Sequence, residues 1–306
     1  MVTNASRHSV PYFPSRAGSD DRPDGHGFLL ARDIPLGIVP IRGSRDHASF
    51  QVELSPPSDE RATWLTHFLH IGHYEHHTLD EAVVEFVTTA ATYIGYFGEV
   101  YLEVLHDAGG EPIQLDTLPP GRVVRAPRSY LQLIPKADRE RVDGRRFVAI
   151  PKERMWRLDL PRQLGTAREH RRLLRRLAAW SHPTAPFALR PDFGRSSGYE
   201  FSAHRKASDR LLEKATKRWG TVLSQQRPVD GSAEYFYIAR RLAFYQAQAL
   251  LREHLIAQLN EQLAALGISH TVRMTGIPAA REISEALQRL QTGEVTFADA
   301  LEATRT

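Results

Sequence analysis

Val100-Tyr101-Leu102-Glu103-Val104-Leu105, followed by Asp107-Ala108-Gly109-Gly110 and then Ile113-Gln114-Leu115, is the stretch on which the fold turns. Apolar and polar positions alternate along the first run, which is the period of a strand. The acidic and glycine tetrapeptide closes it as a hairpin turn would. Leu118-Pro119-Pro120-Gly121-Arg122-Val123 ends the second strand and turns the chain. Further strands are predicted at Ser129–Ile134, Phe147–Ile150 and Met155–Leu160, with a polar turn around Asp143-Gly144.

Helices flank this β-rich section. Ser58 or Asp59 caps one that runs through Trp64, Leu65, Phe68, Leu69 and Ile71. Thr78 with Glu81 three residues on reads as a capping box. It opens a second helix with Ala82, Val83, Phe86, Val87, Ala90 and Ile94 at helical spacing. Downstream, Gly165–Trp180 and Ala203–Trp219 read as basic helices around a Pro- and Gly-rich loop at 181–200. Ala233–Leu266 is one long helical pattern without Pro or Gly, and Gly267 is its expected C-cap. A strand Ser269–Met274, a helix Ala279–Gln291 and a short last helix complete the chain. The expected class is α+β. Its four parts are an extended arm over 1–57 (short strands at Phe28-Leu29-Leu30 and Ile38–Ile41), a helix plus β-rich region over 58–160, a basic helical and loop segment over 161–232, and the long helix with a C-terminal helical region over 233–306.

Composition narrows the chemistry. The 306 residues include no cysteine, which removes disulfides, thiolate metal sites and cysteine nucleophiles. No stretch reaches the roughly 18–20 apolar residues of a membrane helix, and the first residues lack an apolar signal core, so a soluble intracellular protein is expected. The net charge of +4 conceals a strong polarity. Arg122–Gly220 holds 25 Lys and Arg against 10 Asp and Glu, while the remainder holds 15 against 26. Such a chain sustains a strong local field at near-neutral overall charge, and the basic part favours a polyanion.

Catalytic motifs are weak. His67, His70 and His73 stand three apart, and His73 and His77 four apart, as shared cation ligands can. The zincin pattern needs Glu directly after the first His, whereas Glu75 sits midway between His73 and His77. Gly72 also interrupts the helix there, and the cluster with His76 reads as a polar helix end rather than a metal site. Gly194-Arg195-Ser196-Ser197-Gly198 matches a nucleophile elbow in letters only, since Arg190-Pro191-Asp192 before it is a poor central strand. No phosphate-cradling glycine loop and no acid–base pair can be nominated. The expectation is a non-enzyme with neither metal nor cofactor. The residues singled out for nucleic-acid phosphates are Arg168, Arg171, Arg172, Arg175 and Arg176 in the first basic helix, and Arg205, Lys206, Lys214 and Lys217 in the second. Surface salt bridging, with Glu169 as one partner, is the competing reading. The aromatics Tyr235, Phe236, Tyr237, Phe244 and Tyr245 of the long helix read as core.

The order of motifs resembles a known family. Tyr96-Phe97-Gly98-Glu99-Val100-Tyr101-Leu102-Glu103-Val104 is similar to the Tyr-Gly-Asn-Ala-Tyr-Leu-Glu-Ile region of tailed-phage portal proteins. Ile113–Val123 resembles that family's proline-rich strand and turn, and Phe147–Leu158 its Ile-Pro-Pro-Glu-Asp-Val-Leu-His-Ile strand. The long helix, Thr271–Met274 and the helix closing on Leu290–Thr296 resemble its C-terminal half. The likeness spans about residues 80–160 and 235–303. Gly98-Glu99-Val100 departs from the usual Gly-Asn-Ala, the chain is shorter than most portals, and the stretch after Pro161 lacks the family's Gly-x-Ser-Pro helix start. The resemblance implies a wing-like β region and a homo-oligomeric ring of about twelve copies at a capsid vertex of the virion. Double-stranded DNA would pass through its channel. It further implies a terminase large subunit, a head–tail adaptor and the major capsid protein as partners, assembly in the host cytoplasm, and no membrane. The alternatives are a sequence-independent nucleic-acid-binding protein, whose Arg168–Arg176 and His204–Arg218 helices grip phosphates directly, and a metal-dependent hydrolase using the His67–His77 cluster.

Overall fold

The computed structural model describes residues 7–9, 25–40, 49–71, 78–181, 210–220, 232–302 and 304. It is an α+β structure with small antiparallel sheets and divides into two compact units. The first comprises Met1–Asp21, Phe50–Asp159 and His254–Thr275; the second comprises Arg22–Ser49, Leu160–Glu253 and Gly276–Thr306.

In the first unit, the Ser58 hydroxyl accepts the Arg61 amide at 3.3 Å and starts α2 (Asp59–Phe68), whose first turn carries Asp59 and Glu60. Carboxylates there answer the unsatisfied N–H groups and positive end of the helix. Thr78 likewise accepts the Glu81 amide at 3.3 Å and opens α3 (Leu79–Phe97). The apolar positions read from the sequence form its buried face, with Ala82, Val83, Phe86, Val87 and Ile94 all fully enclosed. Gly98, at φ +82°, ends α3: its amide returns to the Ile94 carbonyl at 2.7 Å, and the left-handed conformation releases the chain directly into β2 (Glu99–His106).

Strand β2 is the centre of a β3–β2–β7 sheet, with β3 at Pro112–Leu118 and β7 at Met155–Asp159, all antiparallel. The hairpin turn forms as read: Asp107 Oδ1 accepts the amides of Gly109 and Glu111, each at 2.9 Å. Val100–Leu105 are buried on both faces of the strand. Leu102 pairs with Trp156 and shares its face, where Trp156 meets Phe68 of α2 edge-on at 5.5 Å. On the opposite face Tyr101 packs with Leu118, Tyr130, Ile150 and Met155. That cluster draws on a second sheet, β4 (Val123–Arg125), β5 (Ser129–Leu133) and β6 (Phe147–Pro151). A two-stranded sheet pairs β1 (Gln51–Ser55) with β8 (Thr271–Thr275).

Burial of β2 on both faces places Glu103 in the interior, directly across the ladder from Asp116. Two facing carboxylates repel unless each has a partner of its own. Both Glu103 oxygens accept main-chain amides, from His8 at 2.7 Å and Ser9 at 3.0 Å. Arg7 pairs with Asp116 at 3.0 Å. Burial, reinforced by Glu103, still raises the Asp116 carboxyl above its ordinary value despite Arg7.

The second unit corrects the expectation for 1–57. Instead of strands in an extended arm, Gly25–Asp33 is a helix, α1, packed on α4 (Ala167–Ser181). Leu30, Ala31, Ile34 and Ile38 are fully buried. The short apolar pieces are one helix face and the turn after it, a distinction that period alone does not make for runs this brief. Residues 10–24 and 41–48 lie outside the described residues. Residues 210–215 form α5, which gives way to a 3-10 turn at Lys217–Trp219 where the sequence had predicted one helix through Trp219. The long helix is α6 (Ser232–Ala265), close to its expected bounds; Gly267 (φ +79°) follows it as predicted. The remaining helices are α7 (Ala280–Gln291) and α8 (Phe297–Glu302). Ile238 and Leu242 of α6, Ile283 and Leu290 of α7 and Ala300 of α8 share a core with Tyr235, Tyr237 and Tyr245 around them, as expected of those aromatics, whereas Phe236, also expected in the core, is 60% exposed.

Gly220 closes the 3-10 turn at φ +62° against α6. A Cβ there would stand 2.6 Å from the Ala243 carbonyl carbon and the Phe244 amide nitrogen. Gly220→Ala is expected to cost about 2–4 kcal/mol in chemical denaturation. A second check concerns Tyr101, whose phenol burial, with Glu99 beside it, pushes up to about 12. The unfolded chain ionises nearer 10, so this contribution is complete below about pH 10 and is lost as pH rises toward 12. Tyr101→Phe should fall less across that interval than the parent protein, by on the order of 1–2 kcal/mol.

Candidate nucleic-acid interface

The basic helix α4 is set by a capping pair. Thr166 Oγ1 accepts the Glu169 amide at 3.2 Å, and Glu169 Oε2 accepts the Thr166 amide at 2.8 Å. These bonds, then Arg218, hold the Glu169 carboxyl below its usual range. Ala167, His170, Leu174 and Leu177 recur at helical spacing and are buried. The remaining faces carry Arg168, Arg171, Arg172, Arg175 and Arg176, all exposed. Leucines and a histidine thus fix the helix, and the arginines face outward because the buried stripe leaves them no other place.

Beneath α4, the His170 ring meets Trp219 edge-on at 5.6 Å. Trp219 is 1% exposed and anchors the 3-10 turn against the helix. Between them opens a cavity of about 370 Å³, lined by Arg172 and Arg176 from α4 and by Lys214, Lys217 and Arg218 from the following segment. The carboxylate among its lining residues is Glu169, already engaged by Arg218 at 3.3 Å and by Thr166. Among the described residues no carboxylate forms an ion pair with Arg172, Arg176, Lys214 or Lys217. Five cations around one carboxylate make a field that favours phosphate oxygens. The guanidinium forks supply geometry, and the ammonium groups supply point charge.

Of the nine residues predicted to meet phosphates, the structure brings Arg172, Arg176, Lys214 and Lys217 together. Arg168, Arg171 and Arg175 are exposed on the same helix without lining the cavity, and Arg175 Nε donates to the Arg171 carbonyl at 3.4 Å. Arg205 and Lys206 lie outside the described residues. Arg218 is the addition. Its neighbour Trp219 could have marked it, since an indole beside a basic run is a candidate anchor for the turn that carries those charges.

Of the other sequence candidates, His67 and His70 are among the described residues. His67 lies in the last turn of α2, and the carbonyl of His70 accepts a bond from Gln114 at 3.3 Å. His73, His76 and His77, and the Gly194–Gly198 stretch, lie outside the described residues. Among the described residues no cluster of three or more metal-ligating side chains occurs, and no helix is long and apolar enough to cross a membrane.

No protein-family model and no curated protein sequence matches the chain.

The cavity makes a quantitative expectation. Arg172→Ala with Arg176→Ala should weaken binding of a short DNA duplex uniformly across sequences. It should also flatten the slope of log K against log salt by about 2, measured by fluorescence anisotropy.

Proposed function

We propose that the chain is a portal-like subunit. It assembles as a homo-oligomeric ring at a capsid vertex of the virion and conducts double-stranded DNA without catalysing a reaction. The observation that carries this reading is the order of elements. Three of the motifs that resemble portal proteins fall on strands of one unit, Tyr96–Val104 on β2, Ile113–Val123 on β3 and Phe147–Leu158 on β6 and β7, and long α6 then leads into β8. Motifs that were short and degenerate as letters thus coincide with strands, of which β3 and β7 both pair with β2. The segregation of basic residues into Arg122–Gly220 adds support, because a head-to-tail ring joins unlike faces and closes best when they are complementary.

In this reading the cationic cavity of α4 supplies contacts that ignore base sequence, as a moving duplex requires. The terminase large subunit, head–tail adaptor and major capsid protein are the corresponding partners. The same cavity favours a second reading, a monomeric or dimeric nucleic-acid-binding protein that grips phosphates tightly. Native mass measurement with negative-stain imaging separates the two. A ring of about twelve copies with a central opening, binding DNA weakly, is the expected result. A monomer or dimer that stays so in the presence of the capsid protein, with tight salt-dependent DNA binding, would overturn the portal reading.

A further inference from the structure

A second cavity, of about 270 Å³, lies within the second unit, away from the α4 arginines. Its polar side is made by Arg241, Tyr245 and Arg252 of α6, and its apolar side includes Ile277, Ile283 and Leu301. Among the described residues no Asp or Glu lines it. Arg252 is 8% exposed. Its two terminal nitrogens donate to main-chain carbonyls, Nη1 to Ile38 at 3.1 Å and Nη2 to Pro278 at 2.5 Å.

Those bonds satisfy two of the five N–H groups of the guanidinium, and among the described residues no carboxylate forms an ion pair with it. The nearest acid in sequence, Glu253, accepts the Ala280 amide at 2.7 Å, at the start of α7. Burial accordingly pulls the Arg252 guanidinium down to about 10, with Glu253 opposing only in part. Arg241 adds a second cation, held in place by its Nε bond to the Tyr245 hydroxyl at 2.6 Å and lying over that ring. Buried cations in proteins are ordinarily paired, and Arg252 is buried with no ion-paired acid among the described residues, while Arg241, itself exposed, brings a second cation to the same lining.

We propose that this cavity binds a carboxylate carried on a short apolar body. The carboxylate would lie on the N–H groups of Arg252 and Arg241 that face the hollow, and the body against Ile283 and Leu301. Guanidinium forks match the planar carboxylate, and the volume is close to the lower end of small-ligand sites, roughly 300 Å³. Both a free branched-chain acid and the last residue of a peptide carry this group. The proposal is independent of the ring assembly.

The test uses the full chain with three probes: isovalerate, N-acetyl-leucine, and uncharged N-acetyl-leucinamide. Titration calorimetry should show saturable binding of at least one acid in the millimolar range, with the amide weaker by roughly tenfold or more. Tighter binding of N-acetyl-leucine assigns the site to a peptide end, and tighter binding of isovalerate assigns it to a free acid. Arg241→Met should weaken the acid by roughly tenfold, and Leu301→Trp, which fills the hollow, should abolish binding. Circular dichroism checks that both variants remain folded. Arg252 is left intact in these variants because it also fastens two backbone segments. Equal binding of acid and amide, absence of binding by both acids, or acid binding undiminished in the two folded variants would each overturn the proposal.

Discussion

Polar side chains of α6 satisfy main-chain groups far away in sequence, and both units depend on this. In the second unit the Gln248 amide donates to the carbonyls of Ile34 at 2.9 Å and Leu36 at 2.7 Å, just beyond the C-terminal end of α1. Carbonyls there have no helical partner, and leaving them buried and unbonded costs about 1–3 kcal/mol each. Arg252 does the same for Ile38 and Pro278. In the first unit Asn260 brackets β8 residue Val272, donating to its carbonyl at 3.0 Å and accepting its amide at 2.8 Å. Gln258 accepts the Asp159 amide at 3.3 Å at the end of β7. Hydrophobic burial brings these segments in, and the amides and guanidinium fix where each one stops.

Much of this organisation is legible from residue pattern. Capping residues Ser58 and Thr78, the apolar face of α3, the Asp107 hairpin and the length of α6 are all local signals, and local physics determines them. The two faces of β2 were not legible. Alternation reports side-chain polarity, but Glu103 is interior because His8 and Ser9, nearly a hundred positions earlier, bring their amides to it. Helix α1 was missed for a related reason. Gly25–Asp33 is short and weakly patterned, and its burial comes from α4, so nothing in its own sequence announces a core element.

The basic site was half legible. Sequence marked the arginines of α4 and the lysines after it, but charge counting cannot separate residues that converge from residues that only share a helix. Convergence comes from Trp219, buried against His170 of α4, which anchors the segment that carries Lys214 and Lys217 beside Arg172 and Arg176, and from Gly220, which closes the turn behind it. The residues that create the site are therefore the apolar and glycine positions between the charges. The hollow at Arg252, lined by no Asp or Glu among the described residues, had no sequence signal, since one arginine in a long amphipathic helix is ordinarily a surface residue.

Glu103 carries one more consequence. Glu103 and Asp116 face each other across the ladder as like charges, so each needs an outside partner: main-chain amides serve Glu103 and Arg7 serves Asp116. Three consecutive residues near the start of the chain thus act as counterion and lining for the interior of a sheet encoded a hundred residues later. Displacing this tripeptide would strip two acids of their partners. Arg7, His8 and Ser9 thus serve the interior of the β-sheet without belonging to any of its strands.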